Sequence, residues 1–410
     1  MKKKLLFISI LIVSLNNLGT TQTWEELTLP QFNSDSITET FSITGFDNVV
    51  YLCSDLGLFA SQDNGTTFTN LTFGNGPTAN LPIRSVFMDV ISNVLYAGGD
   101  SSIFKSTDNG STWTEASAIG LGFINKFERI DNTIVAVHGD FSGASGIVYS
   151  DDEFSTFSNG NIPNNGLVKG LLVSDNSLIA SGYGGIFRSA DKGANFSQIG
   201  IGYPTTGTNF WNVVESNNML FAGDVWGKGL YRSADMGATW VYDSINFNDF
   251  CQVFDMESGR GAVLTVQDGA CNNGEAIKIS TDGGATWTSA LYNLNPAFYN
   301  QLGRNADGSC FFAYARFEKK LYRLCDAPLQ LNEAEIASIQ VFPNPTSGVL
   351  HLNNIEKGTV NLYDLHGKLL KSFMNSSNSL ALDLSGYDKG SYFLHILNNK
   401  GSKTFKVIKN

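Results

Sequence analysis

An eight-residue phrase, Ser-x-Asp-x-Gly-x-Thr/Asn-aromatic, recurs along this chain and restricts it to folds assembled from repeated units. It stands at 61–68, 106–113, 189–196, 233–240 and 280–287, with an altered sixth copy at 150–157 where Phe154 replaces the glycine. Successive starts lie 45, 44, 39, 44 and 47 residues apart. The chemistry is that of a tight turn: an Asp accepts from backbone N–H groups just ahead of it, and the Gly two positions on adopts positive φ without a Cβ clash. The Thr and the aromatic then begin the next strand, so each phrase predicts a hairpin locked by its own side chains.

Three β-branched or aromatic runs precede each phrase, as at 84–89, 94–97 and 102–105. With the strand that follows, this gives four short strands per period, the unit of a propeller blade. The run before a box recurs at 321–326 and then lacks its outer strand. Thr23-Trp24-Glu25-Glu26-Leu27 matches the segments that open Thr112-Trp113, Thr239-Trp240 and Thr286-Trp287, and supplies that strand. The expectation is therefore an all-β chain: a seven-bladed propeller over 22–326, closed by its N-terminal strand so that no ring edge stays open.

The phrase resembles the Asp-box, or bacterial neuraminidase repeat, of secreted β-propellers. In that family the box is a structural hairpin, which implies that Asp63, Asp108, Asp191, Asp235 and Asp282 are turn formers rather than catalytic acids.

Composition agrees with a turn-rich β protein, with 42 Gly and 29 Phe in 410 residues. The formal charge of −11 is uneven: residues 22–330 hold 16 basic against 32 acidic residues. An acidic body repels phosphate backbones, which argues against nucleic acid as a partner. Lys2, Lys3 and Lys4, an apolar run over 5–15 and small polar residues to Thr21 have the three zones of a secretory signal (1–21). The apolar run is too short to remain as a transmembrane helix, and no other stretch predicts one.

After a linker at 327–337, residues 338–410 alternate with period two between Pro, Asn and Gly turns, which predicts a small β-sandwich. Pro343-Asn344-Pro345-Thr346-Ser347-Gly348, Tyr363-Asp364 with Gly367-Lys368, and Gly390-Ser391-Tyr392 with a basic end resemble the C-terminal sorting domain of the type IX secretion system of Bacteroidota. The resemblance implies an address: engagement of that machinery, export through the outer membrane and removal of the domain, with the body released or held at the surface.

Five cysteines in an exported chain call for pairing. Cys310 and Cys325 flank a hairpin turning at Phe317 and Glu318, which places them opposite each other. Cys251 and Cys271 belong to one blade and form the second candidate pair. Cys53 is left over in an inner strand, where it reads as a small buried hydrophobe.

The box hairpins take one face of the ring, and ligands usually meet the other. There the second strands end at Asp55, Asp100, Asp140, Asp224 and Asp268, with Tyr183 and Arg316 in the two remaining blades. Such a ring reads as strand-ending turns, as a Ca²⁺ site, or as the paired acids of a glycoside hydrolase with Asp140 and Asp224 as the pair. Tyr203, Trp211, Trp226, Tyr292 and Tyr299 fall in long Gly, Asn and Pro-rich connections and are candidate sugar-stacking rings, with blade packing as the competing role. An Arg-Ile-Pro motif as in sialidases is absent, and Leu81-Pro82-Ile83-Arg84 is no substitute. His138 alone lies outside the tail, which leaves no His-rich zinc site. The reading is an exported propeller that binds a polysaccharide or a surface protein, with glycoside hydrolysis or a non-catalytic scaffold as alternatives.

Overall fold

The computed structural model describes residues 22–410 except 33–34, 72–80, 140–144, 164–167, 205–206, 248–249, 269–274, 296, 326–338, 356–357, 364–368, 376 and 399–400. The expected signal (1–21) and linker (327–337), with Asp140 and Cys271, thus lie outside the described residues. Every assigned element is a strand, apart from turns and a single 3₁₀ residue.

Antiparallel groups of four follow one another along the chain. The first comprises Thr40–Phe46, Val49–Ser54, Gly57–Ser61 and Thr69–Asn70. The second runs Ser85–Asp89, Val94–Gly98, Asp100–Ser106 and the start of Thr114–Ile130. The rest of that 17-residue strand opens the third group, which continues through Thr133–Gly139, Ser145–Ser150 and Ser158–Asn159. Groups beginning at Val168–Ser174, Phe210–Ser216 and Val253–Gly259 repeat the pattern. In the last, Tyr299–Arg304, Cys310–Ala315 and Lys320–Cys325 are completed by Glu25–Leu27, in the register Glu25↔Arg323, Glu26↔Tyr322 and Leu27↔Leu321. Among the described residues this makes seven groups, counting the shared strand in both of its blades. Each first strand lies against the first strand of the next group, and Tyr299–Arg304 lies against Thr40–Phe46, so the row closes into a ring. The chain body is a β-propeller.

The second strands are continuous apolar runs because blades cover both of their faces. Val94–Gly98, Thr133–Gly139, Ala262–Gln267 and Cys310–Ala315 are buried along their whole length. Alternate residues serve alternate neighbours: Val50 and Leu52 pack with Phe312 and Leu321 of the last blade, and Tyr51 and Cys53 with Leu95 and Ala97 of the second. The first and last blades also join by parallel pairing, Gly303↔Ile43 and Arg304↔Thr44. A Cβ on Gly303 would stand 2.2 Å from the Ile43 carbonyl oxygen, so only glycine permits that contact.

Each box is tied the same way. In the first, the Ser61 hydroxyl donates to Asp63 Oδ1 (2.7 Å) and accepts from Gly65 N–H (2.7 Å), while Thr67 donates its N–H to Oδ1 (2.8 Å) and its hydroxyl to Oδ2 (2.6 Å). The residue before the glycine also takes positive φ, as at Asn64 (55°) and Gly65 (85°). The altered copy keeps the network: Ser150 and Asp152 hold Phe154 N–H and Thr156 at 2.8–2.9 Å. Phe154 itself adopts φ 60°, and its buried ring meets Tyr96 and Phe127 edge-on. Aromatic burial there outweighs a left-handed backbone. Boxes also join blades: Arg323 of the last blade donates to Asn64 O (2.6 Å) in the first box, and Arg232 to Gly284 O (2.7 Å) in the box of the following blade.

Cys310 and Cys325 are paired in register and joined by a disulfide. Cys251 is also disulfide-bonded. Cys53 is a buried thiol, its pKa pushed up to about 12 by desolvation.

The C-terminal unit sets three strands, Gln340–Phe342, Val349–Asn353 and Ser379–Asp383, against four, Leu369–Asn375, Gly358–Tyr363, Gly390–Asn398 and Gly401–Lys409. Leu350, Leu352, Leu362, Leu382, Leu394 and Val407 fill the space between.

Two outcomes follow. Trp24 is buried and donates Nε1–H to Ala290 O (2.7 Å), so Trp24→Ala removes the plug beside the closing strand and costs about 3–5 kcal/mol, read as a lowered thermal midpoint. The Thr67 hydroxyl and N–H, with Ser61, hold Asp63 down at about 2, and Thr112 and Ser106 do the same for Asp108. With unfolded Asp near ~3.9, the boxes contribute fully above that pH and lose their contribution as pH falls toward about 2. Melting curves between pH 5 and 2 should show that decline, flattened in an Asp63→Asn/Asp108→Asn variant.

Candidate functional site

At the mouth opposite the boxes, the first strands carry a β-bulge at a repeated place. The register slips between Thr40 and Ser42, Ile124 and Lys126, Val168 and Gly170, Phe210 and Asn212, Val253 and Asp255, and Tyr299 and Gln301. The residues so singled out are Phe41, Asn125, Lys169, Trp211, Phe254 and Asn300. In the second blade Gly98 pairs with Ser85 while its carbonyl accepts from Arg84 N–H, which puts Arg84 at the same level. Bulges re-aim side chains at the rims of closed sheets. Sequence periodicity carries no signal for them, and so Phe41, Arg84 and Phe254 escaped the sequence reading as mouth residues.

With the bulge common to the first and fifth blades, the place of a carboxylate on its second strand decides whether it is buried. Asp224 pairs with Phe210, the level held by Ser54 opposite Thr40, one residue inside Asp55. It is therefore wholly buried, accepting from Asn209 N–H (2.6 Å), Trp226 N–H (2.8 Å) and Lys228 N–H (2.9 Å). Burial pushes its carboxyl up while the three N–H groups oppose the shift. Asp224 holds a loop through both carboxylate oxygens and is closed to solvent, where the sequence reading placed an open acid at the mouth.

The other mouth residues are engaged as well. Asp55 accepts from the Thr38 hydroxyl and N–H and from Glu39 N–H, capping the chain's entry to the first blade. Asp100 pairs with Arg84 Nε (3.2 Å), whose guanidinium lies between the rings of Phe41 (3.8 Å) and Phe123 (4.1 Å). Arg316 pairs with Glu39 (2.7 Å). Asp268 is half-buried, with its N–H donated to Gln252 O. Among the described residues no three His, Cys, Asp or Glu side chains gather as a metal site.

Two aromatic candidates are packing residues. Tyr203 is buried between two blades, donating to Ile199 O (2.7 Å) and accepting from Ile186 N–H. Tyr299 is 1% exposed, with its hydroxyl on Asn295 O. Tyr203's connection folds inward and Tyr299 opens the first strand of the last blade, since a ring in a hydrophobic seam is more stable than one left in water. Tyr292 stays exposed, by 41%, in the connection between the sixth and seventh blades.

Tyr183, Trp211 and Trp226 remain, exposed by 41, 44 and 50%. Tyr183 and Trp226 meet with centroids 5.3 Å apart. Backbone ties lace their loops together: Tyr183 bridges Asn209, Gly184 N–H donates to Thr208 O, and Val225 N–H donates to Asn209 O. Asp224 sits beneath, fixing both Asn209, two residues before Trp211, and Trp226. Phe250, 82% exposed, continues the surface, its backbone 3.5 Å from where a Gly227 Cβ would stand. The result is a rigidly backed aromatic platform on the mouth of the fourth and fifth blades.

Residues 340–410 match the family described as "Secretion system C-terminal sorting domain". The tail is a sorting domain. It marks the protein for type IX export to the cell surface or the medium, and no helix among the described residues is long and apolar enough to cross a membrane. A xyloglucanase from Paenibacillus sp is 29% identical over 160 residues, a match that spans 32% of this chain and only 16% of that enzyme. Among solved structures, YCF48 bound to D1 peptide is similar with a TM-score of 0.56 at 15% identity, over 74% of this chain and 96% of that one. The extracellular domain of a putative hybrid two-component system from B. thetaiotaomicron gives 0.60 at 12% identity, over 94% and 52%. An ancestral GH74 enzyme gives 0.52 at 12% identity, over 90% and 62%. These identities speak for the propeller fold alone.

If Asp224 is the pin beneath the platform, Asp224→Ala leaves the buried Asn209 N–H and the part-buried Trp226 and Lys228 N–H groups without this acceptor and releases Trp226. A red-shifted Trp emission and a lowered thermal midpoint are expected, whereas a surface carboxylate would change neither.

Proposed function

We propose that this exported propeller binds an extracellular polysaccharide on the platform of Tyr183, Trp211 and Trp226. The carrying observation is that Tyr183 and Trp226 pack on each other yet stay in water above loops tied by a buried carboxylate, with Trp211 exposed at the adjoining bulge. Ordered flat rings lose little entropy on binding, and their faces suit the C–H surface of a sugar ring. The partial likeness to a xyloglucanase supports a glycan over a protein ligand, with xyloglucan the first polymer to try.

Hydrolysis is the second reading, favoured by that same likeness. It requires two acids about 5–9.5 Å apart, one of them free to donate a proton. Asp55, Asp100 and Asp224 are each committed to partners within the fold, which favours binding without cleavage.

Calorimetric titration of the body with xyloglucan oligosaccharides and a panel of other glycans tests the proposal. Trp226→Ala should weaken binding about tenfold, or about 1.4 kcal/mol, with the fold intact by circular dichroism. Equal affinity of wild type and Trp226→Ala, or binding of no glycan, would end this reading. Release of reducing ends from any of these polymers would establish the hydrolase instead.

A further inference from the structure

The aromatic rings of the mouth do not stop at the fifth blade. Phe254 occupies the bulge of the sixth blade as Trp211 occupies that of the fifth. Its ring meets Phe298, which immediately precedes the first strand of the seventh blade, with centroids 4.8 Å apart. Phe298 in turn meets Phe317, in the turn after the second strand of that blade, at 5.2 Å. Phe317 is 79% exposed and the other two are half-buried. Phe298 O accepts from Arg316 N–H (3.1 Å), which fixes the last two rings at one level. A row of three rings thus runs in contact from the channel mouth outwards, across the seam of the sixth and seventh blades.

One buried carboxylate ties this row to the platform. The residues that follow the bulges of the fifth, sixth and seventh blades are Asn212, Asp255 and Gln301. Asp255 accepts from Asn212 Nδ2 (2.5 Å) through Oδ1, and from Gln301 Nε2 (2.9 Å) and Leu302 N–H (2.8 Å) through Oδ2. Its two oxygens hold three neighbouring first strands in one alignment, away from water. Trp211 and Phe254 therefore stand at one level on adjacent strands. With Tyr183, Trp226, Phe298 and Phe317 they form an arc over blades four to seven.

The two halves of the arc differ in chemistry. Tyr and Trp carry an O–H or N–H beside the ring face, which can distinguish one pattern of sugar hydroxyls from another. Phe has only the ring, so it adds contact area without reading which sugar lies on it. A compact ligand fills the first half alone, and a chain long enough to follow the arc gains the second.

Resting on the polysaccharide reading of the platform, we propose that Phe254, Phe298 and Phe317 form a second subsite that takes the continuation of the same glycan chain. The body then selects sugar identity at the platform and chain length at the row. The occupant follows from continuity: the row lies at the platform's own level on the next two first strands and presents bare aromatic surface to the same mouth.

Calorimetric titration of the full chain with xyloglucan oligosaccharides of increasing backbone length tests this. Affinity should rise about tenfold from the shortest oligosaccharide to one that spans the arc. Phe317→Ser, at an exposed position, should remove that rise while binding the shortest one as wild type does. Trp226→Ala, which tests the platform, should weaken binding at every length. An affinity that does not change with length, or that rises equally in Phe317→Ser, overturns the second subsite and leaves the platform standing. So does an equal loss at all lengths in Phe317→Ser with circular dichroism unchanged, because the row would then belong to one undivided site. No binding at any length ends the platform reading and this one with it.

Discussion

The ring depends on one serine hydroxyl and one carboxylate, used six times. In each box the Ser donates to the Asp and receives a backbone N–H, while the Asp gathers the hydroxyl or amide and the N–H of the residue four positions on. A turn with two consecutive left-handed residues is costly for most sequences, and four hydrogen bonds to side chains offset that cost locally. Because Arg323 and Arg232 each reach from a third strand into the next blade's box, the fixed turn also ties those neighbouring blades together. The acids of the repeat are used up by this task. Their low pKa values come from the hydroxyl and N–H donors around them, the opposite of what a proton donor requires.

Much of this was legible because it is local. The box names its own turn, the strand runs before it have the right length, and the match of the Trp24 segment to the other post-box strands gave the docking with Arg323. The Cys310–Cys325 register followed from counting outward from a hairpin. Register within the first strands was not legible, because a bulge displaces the pairing by one residue and leaves the period-two pattern almost unchanged. Nor was the level at which a second strand ends: Asp224 pairs with Phe210 where Ser54 pairs with Thr40, one step inside Asp55, so it lies in the interior while Asp55 caps a loop at the rim. The same limit applied to Tyr203 and Tyr299: a ring in a Gly and Asn-rich connection has no sequence mark telling whether the connection folds over the rim or into the seam. Phe154 is the converse case, a residue that looks like damage to a turn and instead fills the space between two blades.

Body and tail divide the work. The propeller presents rings on a mouth whose loops are braced from within by the buried Asp224, and the sorting domain ties its opening loop to its closing strand through the buried Thr346.

The strand Thr114–Ile130 passes from the rim of one blade to the axis of the next with no connection between them. Phe123 pairs with Asp100 on one side and Gly139 on the other, so these two blades share a spine. Insertions are tolerated where the passage from one blade to its successor is a loop. Here that freedom is closed at one point of the circle and open around the rest, and new specificities have room to arise on the arc that already bears Trp211 and Trp226.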